Sequence, residues 1–262
     1  MPAVSPPTTA RWPTSENGHV TSTLHDFVLH LPILSTLCAG YFCFELFRRY
    51  RRKGGGPHLL WWGIGMGTYG LGTLTESLTT LFGWQPFVFR LWYVAGAFLG
   101  GYPLAQGSIY LLMNRRFAEW SARIVPAVIL VASVFVFLTP LDASLVETHR
   151  LSGKVMEWQW VRLFSPFLNL YAVTFLVGGA FVSALHFRRQ PGLRNRYLGN
   201  ILIALGGLLP GIGGTFTRFG LVEVLYVTEL MGLVLIYSGY RACVAAPTPS
   251  QAVEAAAAVS RA

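Results

Sequence analysis

The chain has 262 residues, of which 53% are hydrophobic and 12% charged, where a soluble domain carries about 25% charged residues. Its net charge of +9 would suit a nucleic-acid binder. However, 12 of the 20 basic residues fall in three short loops between apolar runs, where membrane orientation and attraction to anionic headgroups account for them, so no nucleic-acid partner is expected.

Residues 1–24 are rich in Pro, Ser and Thr and read as a flexible external tail rather than a cleavable signal. Seven apolar stretches follow, over residues 26–47, 59–82, 87–113, 124–141, 160–187, 197–217 and 222–240. Each is long enough for a helix to cross roughly 30 Å of hydrocarbon, the fourth only marginally. Barrel strands would be about ten residues long with alternating polarity, so the expected fold is an all-α seven-transmembrane helix bundle. The first span stops at RRYRRKGGG, and the second and third are joined by a tight FGWQP turn. The segment 142–159 is the longest connection and is expected to lie at the interface, partly helical. The seven-helix domain occupies 25–242, and the small-residue stretch 243–262 reads as a low-complexity tail.

The basic clusters set the orientation. Arg48, Arg49, Arg51, Arg52 and Lys53 follow the first span, Arg115, Arg116 and Arg123 the third, and Arg188, Arg189, Arg194 and Arg196 the fifth. All three loops lie on one side, which the positive-inside rule makes cytoplasmic, with the N-terminus outside and the C-terminus inside. Most tryptophans then sit near the two membrane surfaces as an aromatic belt, and the Gly runs 63–72, 96–101 and 206–214 allow close helix approach. Pro210 is expected to kink the sixth helix.

Ionisable groups inside spans are costly and usually face the bundle interior. Glu76, Arg90, Arg162, Arg218, Glu223 and Glu229 all fall in the outer third of the bundle. This mixture reads either as a salt-bridge network pinning helix ends or as a polar pocket open to the outside. In the second reading Glu76, Arg90, Tyr93, Arg162, Arg218 and Glu229 line the site, with Gln106, Asn169, Tyr226 and Thr228 as further polar neighbours. Arginine forks there would suit a small anionic ligand. Glu45 lies one turn before the first basic cluster and is expected to pair with Arg48 or Arg49.

Other chemistries find no motif. Cys38, Cys43 and Cys243 form no CxxC, and no two histidines sit at matched mid-membrane depth, so neither a metal site nor a haem is expected. GxSxG and HExxH are absent, which leaves no signature of a hydrolase, and the seventh span has no Lys for retinal.

The run WWGIGMGTYGLGTLTE (Trp61–Glu76), the FGWQP turn and FRLWYVAGAFLG (Phe89–Gly100) resemble the middle of the seven-helix sensor regions that precede bacterial histidine kinases and diguanylate cyclases. The resemblance covers about fifty residues, 61–113. It implies a bacterial inner membrane location, an outward-facing ligand site including Glu76 and Arg90, and conformational signalling. No kinase or cyclase follows in this chain, so a signal would pass to a separate cytoplasmic or membrane partner. Three functions stay open: a receptor-like protein of this kind, an accessory or scaffolding subunit whose grooves hold lipid, quinone or pigment, and a proton-coupled transporter using Glu76 and Glu229.

Overall fold

The structure, a computed structural model, describes residues 28–52, 54–148, 150–190 and 192–245, with the Arg218 side chain outside that description. The expected tails at 1–24 and beyond 245 also lie outside the described residues. Among the described residues the protein is all-helical, with only two isolated antiparallel bridges, Leu141 with Met156 and Glu147 with Arg150.

The helices are α1 (Leu31–Arg52), α2 (Pro57–Phe82), α3 (Pro86–Trp92), α4 (Tyr102–Leu112), α5 (Arg115–Leu138), α6 (Phe164–Ala172), α7 (Gly178–Phe187), α8 (Arg194–Phe216) and α9 (Val222–Ala245). A π-helical segment, Tyr93–Phe98, continues α3, and another, Val173–Val177, joins α6 to α7. Among the described residues five rods are long and apolar enough to cross a membrane: Leu31–Arg52, Arg115–Leu138, Gln159–Phe187, Arg194–Phe216 and Val222–Ala245.

The second and third expected spans fall short of that measure for different reasons. α2 has the length, but apart from Leu59 and Met66 the side it buries is Gly63, Gly65, Gly72, Thr73, Thr75, Glu76, Ser77 and Thr79, so its interior face is mostly small and polar rather than aliphatic. The third is not one helix: it passes from α3 through the π segment and breaks at Leu99–Gly101 before α4. A Cβ on Gly101 would lie 2.6 Å from the Ala172 Cβ, so the break brings the chain against α6 where only glycine fits.

The fourth span is corrected. It is not a short stretch from 124 but a 24-residue helix from Arg115, started by the Asn114 side chain accepting from the Phe117 amide and running through Pro126. The 142–159 connection forms no interfacial α-helix. It folds as 3-10 turns at Ala143–Leu145 and Gly153–Val155 with the Leu141–Met156 bridge, and it buries Leu151, Val155 and Met156 against Phe89 and Tyr93. Ser144 donates from its amide (2.9 Å) and hydroxyl (2.6 Å) to Asp142 Oδ1, which holds that carboxyl below the ordinary aspartate range.

Packing closes six rods into a ring: α1 on α2, α2 on α4, α4 on the Val173–Val177 segment, α7 on α8, α8 on α9, and α9 back on α1. α5 packs outside this ring, against α4, the Tyr93–Phe98 segment and the Gln159–Leu163 turn. α8 and α9 approach through glycines seven residues apart, Gly199, Gly206 and Gly213 facing Gly239, Gly232 and Leu225. The ring interior holds Phe42, Leu46, Met66, Leu104, Leu176, Leu233 and Tyr240, with Trp62, Tyr69, Tyr171 and Phe175 packed on them.

Candidate functional site

The second half of α2 reads GTLTESLTT, and its hydroxyls bond back to their own helix. Thr75 Oγ1 donates to Gly72 O (2.6 Å), Ser77 Oγ to Thr73 O (2.8 Å) and Thr79 Oγ1 to Thr75 O (2.9 Å). A carboxylate has no proton to return in this way. Glu76 is 3% exposed, and its Oε1 accepts a 2.9 Å hydrogen bond from the indole Nε1 of Trp92. Its Oε2 is buried and meets no donor.

Across the ring, α9 supplies the counterpart. Glu229 Oε2 is likewise buried without a donor, and the two carboxyl groups lie within hydrogen-bonding reach of each other. Glu76 is six residues from the end of α2 and Glu229 seven from the start of α9, which puts both about 10 Å inside the same end of the bundle. Neither acid joins an ion pair among the described residues.

Aromatic residues complete the enclosure. Tyr69 OH donates to the backbone oxygen of Glu229 (2.8 Å), tying α2 to α9 a second time. Tyr226, 2% exposed, lies one turn before Glu229, within electrostatic reach of both acids. Trp92 also packs on Phe89 and Tyr93. Beyond this group, Arg150 of the connection between α5 and α6 bonds Glu147 (3.0 Å) and the Gly220 carbonyl in the turn before α9.

Two carboxylates in contact at low dielectric repel strongly, and two acceptor oxygens with no donor between them are each left unsatisfied. One proton held between the groups removes a charge and supplies the missing donor. The arrangement can therefore bind and release a proton, or another small positive species, in an aromatic enclosure.

Two of the three arginines expected beside these acids, Arg90 and Arg162, have other partners. Arg90 Nε donates to Val136 O (3.3 Å) and Arg90 Nη2 to Thr139 O (3.0 Å), so it holds the C-terminal end of α5 and does not face Glu76. Arg162 Nη1 bonds Gln159 Oε1 within its own turn of chain. The Arg218 side chain lies outside the description. Tyr93 is buried among Phe89, Trp92 and Phe98.

The further polar neighbours also separate. Gln106, fully buried, donates to Ala118 O and accepts from Ser121 Oγ and Tyr171 OH, a distinct node joining α4, α5 and α6. Thr228 bonds back to Val224 O, and Asn169 bonds Ser165 at the exposed side of α6. Glu45 is corrected as well: it accepts from Tyr237 OH (2.9 Å) and lies 3.9 Å from Arg241, across to α9 rather than along its own helix to Arg48 or Arg49.

Of the six expected site residues, the structure brings Glu76 and Glu229 together. Sequence reasoning missed Trp92 and Tyr69. Trp92 reads as part of an aromatic belt, and Tyr69 sits inside a glycine run that signals only close packing; the one available signal is that Tyr69 and Glu76 are seven residues apart on one helical face. The chain matches no family model, no curated protein and no solved structure.

Proposed function

We propose that this chain is a seven-span, receptor-like protein of the bacterial inner membrane, N-terminus outside, whose responsive site is the Glu76–Glu229 pair. In this reading the outward-facing site of the sensor resemblance is kept, and its ligand changes sign. An anionic ligand needs arginines at the site; Arg90 and Arg162 bind elsewhere, and what the described side chains bring to the centre is two acids. The ligand proposed is a proton taken up from the outer side.

The observation that carries the reading is the pair of buried, donorless carboxyl oxygens facing each other from α2 and α9. Protonation changes the force between two helices that here are otherwise tied by the Tyr69 bond to the Glu229 carbonyl, so it biases how α2 and α9 sit. Both helices run to the end bearing the Arg clusters, where a separate protein partner would read the change.

Infrared difference spectroscopy of the protein in lipid tests this. Wild type is expected to show the carbonyl stretch of a protonated acid that responds to outer pH, and the Glu76→Gln/Glu229→Gln double variant to lack it. A spectrum with only ionised carboxylates at neutral pH would sink the reading. The same pair favours a second reading, a proton-coupled carrier. Against it, the ring below the pair is filled by Met66, Leu233, Tyr171 and Phe175. Acidification inside proteoliposomes, lost in Glu229→Gln, would select the carrier.

A further inference from the structure

A groove of about 280 Å³ runs along the outside of the ring between α1 and α9, lined by Leu37, Cys38, Tyr41, Leu233, Val234 and Tyr237. Its walls are almost wholly apolar. Leu37 is 67% exposed, Tyr41 59% and Val234 49%, so the groove is open to whatever surrounds the bundle. Leu37, Tyr41, Glu45, Arg48 and Arg52 follow one stripe of α1, and Val234, Tyr237 and Arg241 one stripe of α9. The two stripes lead from the groove to the same basic end.

The polar groups at that end leave positive charge in excess. Tyr237 OH donates to Glu45 Oε2 (2.9 Å) and accepts from Arg241 Nη1 (2.9 Å), so the single acid already has a donor and a nearby cation. Arg49 is turned away, over the Tyr240 ring at 5.7 Å. Arg48 and Arg52 are exposed, and the Arg241 side chain is 56% exposed. An apolar channel ending in exposed guanidinium groups has the chemistry of an acyl chain below a phosphate.

We propose that the α1–α9 groove is a binding site for an anionic phospholipid, with an acyl chain along Leu37, Tyr41 and Val234 and the headgroup phosphate at Arg48 and Arg241. A second copy of the chain fits less well. Two copies in one membrane orientation relate by an axis along the membrane normal, which sets basic end against basic end at equal depth.

The test titrates the purified full chain, freed of bound lipid, with phosphatidylglycerol or phosphatidylcholine and reads retained lipid by native mass spectrometry. Phosphatidylglycerol is expected to bind in preference to phosphatidylcholine. Arg48→Gln/Arg241→Gln is expected to weaken phosphatidylglycerol about tenfold or more, since each basic residue near a surface contributes roughly fivefold. Arg188→Gln/Arg189→Gln removes the same charge at the end of α7 and is expected to change binding less than about twofold. Val234→Trp, which fills the groove and keeps the charge, is expected to lower phosphatidylglycerol retention, and thermal unfolding checks that each variant is folded. Equal loss in the two charge variants, equal binding of both lipids, or unchanged binding in Val234→Trp would each overturn the site. So would a dimer that Val234→Trp breaks.

Discussion

Arg90 holds the end of α5 with a cation where a helix C-terminus presents unpaired carbonyls and partial negative charge. Arg90→Gln is therefore expected to destabilise the protein by about 2 kcal/mol, with Arg90→Lys recovering only part of it. Thermal unfolding in detergent measures this; an unchanged midpoint in Arg90→Gln would return the residue to the ligand site. The contrast with Glu76 explains what a sequence discloses at this scale. That Glu76 and Glu229 are buried acids was legible, because an acid within an apolar run has few places to go. Which group each charge meets was not, because a long guanidinium side chain reaches over more than one helix turn and its direction is set by packing. Arg90 and Glu76 share a depth on neighbouring helices, yet Trp92, two residues on, takes the acid.

At the scale of elements, the closest contact is α8 on α9. A Cβ on Gly206 would lie 2.6 Å from the Gly232 carbonyl oxygen, and one on Gly232 would lie 2.7 Å from that of Gly206. These neighbours are backbone and cannot turn aside. Gly206→Ala and Gly232→Ala are each expected to cost about 1–3 kcal/mol in overall stability, while Gly211→Ala, which meets nothing within 4 Å, is expected to be neutral or stabilising. Parallel melting curves for the three variants decide it; equal midpoints would mean the two helices part without penalty. The glycine runs forecast close approach but not which partner, since seven-residue spacing marks a face without naming what it meets. Helix ends fared similarly. The second, fifth and sixth stretches lie within three residues of the observed helices at each end, whereas the seventh helix continues past the hydropathy drop at Arg241 to Ala245. The start of α5 was missed because Arg115–Arg123 is charged, and hydropathy scores a charged turn of helix like a loop.

For the whole molecule, the number of crossings is decided by the region between α1 and α5. If α2 and the α3–α4 rod both cross, Gly55 and Gln85 lie on opposite sides of the membrane; if neither does, both lie with the Arg clusters. In a chain with Cys38, Cys43 and Cys243 replaced by Ala, Gln85→Cys is expected to react with an impermeant thiol reagent from outside, and Gly55→Cys only after permeabilisation. Labelling of both from one side would reduce the protein to five crossings. If the central rods do cross, it is because protein lines them more than lipid does, a setting in which a small, polar buried face such as that of α2 lowers hydropathy without barring a crossing.

The acid pair joins α2 to α9, the latest of the described helices to be made. A ribosome therefore makes Glu76 some 150 residues before its partner Glu229 exists. Through that interval the acid has at most the Trp92 indole, and the incomplete ring carries an unshielded carboxyl facing the gap that α9 will fill. Closure of the ring and concealment of that carboxyl are therefore one event, and a chain that stops short of α9 leaves the acid without its counterpart.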